Sequence, residues 1–386
     1  MKNSPLLEFK LVTAHGETTG RRKVGFVVNP IAGMGGRVGL KGTDGEAYRK
    51  ALELGAKPVS PGRARRFLRA LKASGLELLT APGVMGGDYV SETSIPFRVV
   101  GSVGTPTTAE DTVRVCREMV DGGVELIVFV GGDGTARDVC RAVGTSTPTL
   151  GVPSGVKVYS SVFAYSPEEA AEVLSAFLEG RASLAEREVL DVDEEAFRRG
   201  VLRVRLYGFL RVPVVETLVQ PSKTWGEARL DVEENKRAIA RYLVEEMEEG
   251  VLYILGPGTT LMAVAEQLGV EKTPLGVDAV VDGRLVGRDL SEGELLRLLE
   301  RYPRAKVVVS PLGGQGFILG RGNQQISPEV IRRVGRENII VLATKDKMAG
   351  LKVLRVDTGD PEVDGMLRGY MRVMVDYMEE RVVRVA

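Results

Sequence analysis

The stretch Gly131-Gly132-Asp133-Gly134-Thr135 sets a carboxylate among three glycines and a hydroxyl, directly after the apolar run Ile127–Val130. Glycines there let backbone N–H groups approach a ligand where a Cβ would block them, and a following helix adds positive potential suited to phosphate. A carboxylate in such a cradle repels phosphate unless it holds a metal ion or takes a proton from the group that attacks the phosphate. The combination reads as phosphoryl transfer, with Asp133 as the catalytic group and Gly131, Gly132, Gly134 and Thr135 around the phosphates. A sharp strand-to-helix turn would use the same glycines but would leave Asp133 unexplained.

Four further loops have residue types that suit ligands. Asn29-Pro30-Ile31-Ala32-Gly33-Met34-Gly35-Gly36-Arg37 follows an apolar run. It is neither a Walker A motif nor a G-x-G-x-x-G, because no Gly-Lys-Ser/Thr follows and Val38 holds the last position. Asn29, Gly33, Gly35 and Gly36 are its nucleotide-side candidates; a tight turn is the plain alternative. Asp44, in Lys41-Gly42-Thr43-Asp44-Gly45, is a second carboxylate that could face the same cleft, or simply close an Asx-turn. Gly256-Pro257-Gly258-Thr259-Thr260 lies between a strand and a helix and suits a phosphate or a hydroxyl-rich substrate, or an N-capped turn. Pro311–Gly316 and Gly320–Gln325 bring Gly314, Gln315 and Asn323 to a loop fit to fold over a polar ligand, although a crossover would need some of the same glycines.

Composition narrows the chemistry. Lys and Arg together balance Asp and Glu over 386 residues, so general positive charge does not draw this chain to nucleic acid. The one histidine, His15, precedes the first strand, which excludes a Ser–His or Cys–His pair and a multi-histidine metal centre. Cys116 and Cys140 fall on the apolar stripes of predicted helices and read as core residues rather than a disulfide. No apolar run has the length of a membrane span and the opening residues lack a signal-peptide core, so a cytoplasmic protein with no membrane partner is expected.

Apolar patterning predicts strands at Lys23–Asn29, Leu76–Thr80, Phe97–Val100 and Leu126–Val130, alternating with helices at Gly62–Ser74, Glu110–Asp121 and Thr135–Val143. Such alternation implies a parallel, Rossmann-like sheet whose ligands gather at the carboxyl ends of its strands. Ser166-Pro167-Glu168-Glu169 reads as a capping box opening a helix to Leu178. Beyond it, Val189–Val192 and Val201–Gly208 are β-rich, and Glu216–Leu230 has the composition of a mobile excursion. Val232–Glu249 is a charged helix over a thin apolar stripe. Strand–loop segments follow at Val251–Leu268 and Lys306–Gly322, then strands at Ile339–Ala343 and Val353–Val356, a closing helix and the terminal Arg381–Ala386. The expected organisation is a nucleotide-binding domain over 1–162 and a second, α/β or β-rich, substrate domain over 163–386.

Gly131–Thr135 after a buried strand resembles the signature shared by NAD kinases, diacylglycerol kinases and phosphofructokinases. Asn29-Pro30 followed by Gly33 is similar to the Asn-Pro-x-x-Gly opening of the lipid-kinase members. Taken with Gly256–Thr260 and Gly313–Gln325, the chain resembles the archaeal ATP-NAD kinase-like group related to acetoin-catabolism X proteins. The resemblance implies transfer of a phosphoryl group from ATP or polyphosphate, with Mg²⁺ or another divalent cation, to a hydroxyl. For NAD kinases that hydroxyl is the adenosine ribose 2′-OH of NAD. It also implies a small-molecule nucleotide substrate and a homo-oligomer. Carried over by position, Asp133 matches the motif carboxylate, and Asn29 and Gly33 match the nucleotide-side loop. The Asn-Glu pair and Thr-Gly-Ser-Thr-Ala-Tyr segment that grip NAD in well-studied NAD kinases are missing: Glu194-Glu195 has no neighbouring asparagine, and Gly258-Thr259-Thr260 is a distant echo. Another sugar, polyol or lipid acceptor, or a module that senses NAD or ATP without turnover, are the alternatives.

Overall fold

A computed structural model describes residues 21–40, 46–72, 75–155, 158–192, 204–215 and 229–386. The expected excursion at 216–228, Asp44 and His15 lie outside the described residues.

The first half is a five-stranded parallel sheet built from β1 (Arg22–Val28), β2 (Leu76–Thr80), β3 (Phe97–Val99), β4 (Leu126–Gly131) and β5 (Thr149–Pro153). Its helices are α1 (Glu46–Glu53), α2 (Ser60–Ala70), the single turn α3 (Gly87–Val90), α4 (Ala109–Asp121), α5 (Asp133–Val143) and α6 (Pro167–Leu178). The sequence places most of these to within a few residues, but its patterning does not announce β5, α1 or α3. Residues 24–28 of β1 and all of β4 are buried, which is why they read as unbroken apolar runs. Helices cover both faces: Phe67 of α2 stacks on Phe26 with ring centroids 5.7 Å apart, and Met119 and Cys116 of α4 are buried in the same core. Cys140 is half-buried, its thiol on the Phe209 carbonyl at 3.6 Å, and both cysteines are free. Ser166 caps α6 by accepting from the Glu169 amide at 3.1 Å, one half of the expected capping box.

Strand order is β3-β2-β1-β4-β5, so the chain direction across the sheet reverses between β1 and β4. Connections leaving β1 and β4 go opposite ways, and their loops open a crevice at the carboxyl edge. Asn29 and Gly131–Thr135 both fall there. An antiparallel hairpin, β6 (Ser183–Val192) with β7 (Val204–Val214), adds Val189, Leu210 and Val212 to this first core, which therefore reaches well past residue 162.

The second half begins with α7 (Arg229–Glu245), whose buried Ile239, Ala240 and Leu243 form the thin stripe its sequence shows. Next come β8 (Leu252–Leu255), α8 (Thr259–Leu268), β9 (Asp278–Val281), β10 (Arg284–Gly287), α9 (Glu292–Arg301), β11 (Ala305–Val309) and β12 (Phe317–Leu319). α10 (Pro328–Val334), β13 (Ile339–Leu342), α11 (Lys345–Ala349), β14 (Arg355–Val356), α12 (Pro361–Leu367), β15 (Gly369–Asp376) and β16 (Glu379–Val385) complete the chain. The closing helix is therefore the short α12. A hairpin, not a helix, leads to the terminus, because the alternation Met371, Val373, Val375 buries one face of β15.

Seven strands make the second sheet, in the order β10-β9-β8-β11-β13-β15-β16, with β8, β11, β13 and β15 mutually parallel. The strands alternate between two cores. Tyr253, Leu255 and Val308 pack under α7 and α8, whereas Leu252, Ile254, Val307 and Val309 pack under α9, α10 and α12. The second half is thus an α/β layer in its own right.

A buried ionic knot joins the halves. Asp357, 2 % exposed, lies between Arg63 of α2 and Arg321, with the Arg321 guanidinium bonded through two nitrogens at 2.9 and 3.0 Å. Burial works to raise the Asp357 carboxyl, but Arg63 and Arg321 outweigh it and hold the group at about 2. Arg321 also donates to the Tyr165 carbonyl at 2.7 Å, and Arg355 lies 3.7 Å over the Tyr165 ring while pairing with Glu169 of α6.

Removing one member of such a pair strands the others in a medium where they cannot be solvated. Asp357→Asn is expected to cost about 3–5 kcal/mol at neutral pH in urea unfolding. A depressed carboxylate contributes stability above its unfolded value of about 3.9, and that stability is lost as pH falls toward about 2. The difference between wild type and variant should shrink accordingly in that window.

Candidate active site

Asp133 is the first residue of α5, at the carboxyl end of β4, and its carboxylate is half-buried. Its two oxygens accept from consecutive backbone amides, Oδ2 from Tyr159 at 2.8 Å and Oδ1 from Ser160 at 2.9 Å. That pair of bonds fixes the plane of the carboxylate. Burial, and then the nearby Asp133 charge, push the Tyr159 hydroxyl up, so it remains a neutral donor.

The two loops at the reversal are tied to each other. Asn29 donates its side-chain amide to Thr135 Oγ1 at 2.9 Å, and its Oδ1 accepts from the Ile31 amide at 3.2 Å. Thr135 is 2 % exposed, so its hydroxyl is engaged by protein instead of lining a ligand surface as the sequence suggests. Gly131 makes that contact possible: a Cβ there would fall 2.3 Å from Thr135 Oγ1. Gly33 has φ +81° and faces Ser154, whose carbonyl oxygen would lie 1.9 Å from an added Cβ. Ser154 is itself held by Ser60, with the hydroxyls 2.9 Å apart. Gly36 packs on the side chain of Gln324, and Gly132 on the backbone of Gly155. Gly35 is buried, while Gly134 is exposed and touches nothing within 4 Å of where a Cβ would stand.

The remaining candidates fall in the second half. Gly256 and Gly258 form the turn from β8 into α8, Thr259 is exposed, and Thr260 is buried. Gly314 is exposed in a short 3₁₀ turn; beside it Gln315 crosses to the first half, donating to the Val158 carbonyl at 3.0 Å. Val158 immediately precedes the Tyr159 and Ser160 amides that hold Asp133. Asn323 is buried and bonds within its own loop, to the Gly320 amide and the Ile318 carbonyl, so it shapes the loop and presents no group to a ligand. An open pocket between Arg37 and the Glu292, Arg332 and Asp360 side chains flanks the first loop, away from Asp133.

Three residues were missed by sequence reasoning: Tyr159, Ser160 and Ser154. Two of them act through backbone atoms on Asp133, which side-chain identity does not advertise. The only available signal was Pro153-Ser154-Gly155, a third strand end rich in turn residues. Among the described residues no group of three or more His, Cys, Asp or Glu could hold a metal ion.

Fold and site together define an α/β protein of two sheets, each covered by helices on both faces, with glycine-rich loops at the reversal of the first sheet and one oriented carboxylate between them. Family models for the ATP-NAD kinase N-terminal domain and C-terminal domain match residues 24–182 and 248–385. The chain belongs to the ATP-NAD kinase family. No curated protein sequence matches it. Among solved structures, a diacylglycerol kinase from Bacillus anthracis str. Sterne is 14 % identical with a TM-score of 0.23. That match covers 46 % of this chain, which spans about half (48 %) of the kinase. The GsuK RCK domain is 16 % identical with a TM-score of 0.26, over 91 % of this chain and 74 % of that one. Superpositions this loose say nothing about activity.

Two glycine substitutions separate packing from ligand contact. Gly33→Ala puts a methyl into the Ser154 carbonyl at positive φ and should cost about 2 kcal/mol or more. Gly134→Ala, in open space inside a helix, should leave stability equal or up to about 1 kcal/mol higher in thermal unfolding.

Proposed function

We propose that this protein is a phosphotransferase that moves a phosphoryl group from ATP to a hydroxyl of a small molecule, with the 2′-hydroxyl of NAD as acceptor. The observation that supports it most strongly is the oriented Asp133 carboxylate, seated by two amides where the loops after β1 and β4 converge, in a chain matched by both domains of the family. In-line transfer needs phosphates held by backbone donors and an acceptor hydroxyl relieved of its proton as it attacks. Asp133 takes that proton, and Gly134, exposed at the second position of α5, lets the helix start approach the phosphates.

A magnesium ion fits this donor set: Mg²⁺ commonly takes one or two carboxylates and completes its shell with water and substrate phosphate oxygens, so no three-carboxylate cluster is needed. The ion would be held chiefly by substrate phosphate oxygens and water beside Asp133, whose carboxylate stays the base, and would supply charge neutralisation on the transferring group. A nucleotide-binding enzyme working in the cytoplasm as a homo-oligomer, without nucleic-acid or membrane partners, completes the reading. Among the described residues no helix is long and apolar enough to cross a membrane.

One observation favours a second acceptor. The second half is a largely parallel α/β layer, and the sequence lacks the NAD-gripping segments of well-studied NAD kinases, so a different phosphorylated sugar or polyol would be taken by the same chemistry.

Asp133→Asn keeps the size and one amide contact but removes the base, since its amide nitrogen cannot accept from the second backbone N–H. Turnover in an assay of ATP, Mg²⁺ and NAD for NADP should fall by about 10²–10⁴, with nucleotide affinity nearly unchanged. A variant with full turnover would remove Asp133 from the chemistry.

A further inference from the structure

The second sheet has a reversal of its own. From β8 the chain leaves through α8 on one face toward β9, and from β11 it leaves through α10 on the other face toward β13. Leu255 pairs with Val308, and Val309 with Val341, so Gly256 and Ser310 leave the carboxyl edge side by side. Open α/β sheets bind ligands in the crevice at such a point.

Lys347, from α11, reaches into that edge. Its ammonium donates to Ser310 Oγ at 3.1 Å and to the Pro311 carbonyl at 3.0 Å, and among the described residues no carboxylate pairs with it. A cation enclosed by protein ordinarily has an anion beside it. Burial, and then the charge of Lys236, lower its pKa to about 8, the cost of a positive charge left without a counter-charge. Across the crevice, α8 begins at Gly258 with no side chain capping its first amides. Among the described residues the edge therefore offers a cation without a paired carboxylate, a hydroxyl and a helix start with no side-chain cap.

We propose that the carboxyl ends of β8 and β11 form a second anion site, in which Lys347, Ser310 and the opening amides of α8 hold a phosphate group of the acceptor. The proposal rests on the kinase reading for the word acceptor, but not for the binding itself. Its position suits that role. The segment Pro311–Gln315 is touched by Lys347 at its first residue, and at its last it bonds Val158, the neighbour of the amides on Asp133. Five residues span at most about 18 Å, so a single ligand can lie along this loop with a phosphate at Lys347 and a hydroxyl toward Asp133.

Calorimetric titration of the full chain with inorganic pyrophosphate, NAD and glucose 6-phosphate, without ATP, tests it. At least one of these probes should bind wild type and bind Lys347→Met about tenfold or more weakly, as expected for loss of a charge-assisted contact. Ser310→Asp is the second variant: its carboxylate should pair with Lys347, raise the melting temperature, and abolish binding of the same probe. Preference for NAD or pyrophosphate identifies a dinucleotide, and preference for glucose 6-phosphate a phosphorylated sugar. Equal affinities in wild type and both edge variants, or no binding of any probe to wild type, would overturn the proposal. Failure of the kinase reading shows separately, as absent NADP formation in a protein that still binds through Lys347.

Discussion

The ionic knot around Asp357 is the constraint on which the arrangement of the two halves depends. A carboxylate with 2 % exposure needs its charge answered, and the answer comes from both halves at once: Arg63 from α2 and Arg321 from the loop after β12. Such a pair gains little over an apolar contact of equal volume, since desolvation offsets most of the attraction. What it provides is direction. Guanidinium and carboxylate bond only in certain planes, so the relative placement of the two sheets is specified where a greasy interface would leave it free to slide.

That placement gives the two crevices a shared wall. The loop after β11 leaves Lys347 at one end and meets Val158 at the other, and Val158 adjoins the two amides that orient Asp133. Backbone amides are well suited to that task, because they carry no charge that could neutralise the carboxylate and no rotamer that could swing away. The Asn29–Thr135 bond does the equivalent work between the loops after β1 and β4. Several residues whose types suggested ligand contact make contacts within the protein: Thr135 anchors Asn29, Gly131 makes room for Thr135, and Asn323 folds its own loop.

The Gly131–Thr135 turn was legible in the residues because its determinants are local. A strand, a turn needing bare backbone and a helix start are contiguous there. Alternation of apolar runs likewise exposed the first parallel sheet, since β1 and β4 are almost wholly buried. Strand β5 was harder to see: Thr149-Leu150-Gly151-Val152-Pro153 is broken by a glycine that Phe163 requires, where a Cβ would meet that ring at 2.4 Å. The β15–β16 hairpin was missed for a related reason, as its exposed face bears Tyr370 and Val382 and blurs the period of two.

Taken alone, the sequence determined the kinase family, the Gly131–Thr135 turn and the direction of the first sheet, all properties of contiguous segments whose period and turn residues act within a few positions. Tertiary structure decided which loops meet. Tyr159 and Ser160 reach Asp133 from 26 and 27 residues away, Gln315 reaches Val158 across 157, and Asp357 is shared by residues 294 and 36 positions distant. Such contacts depend on strand order and domain placement, which arise from the packing of whole layers.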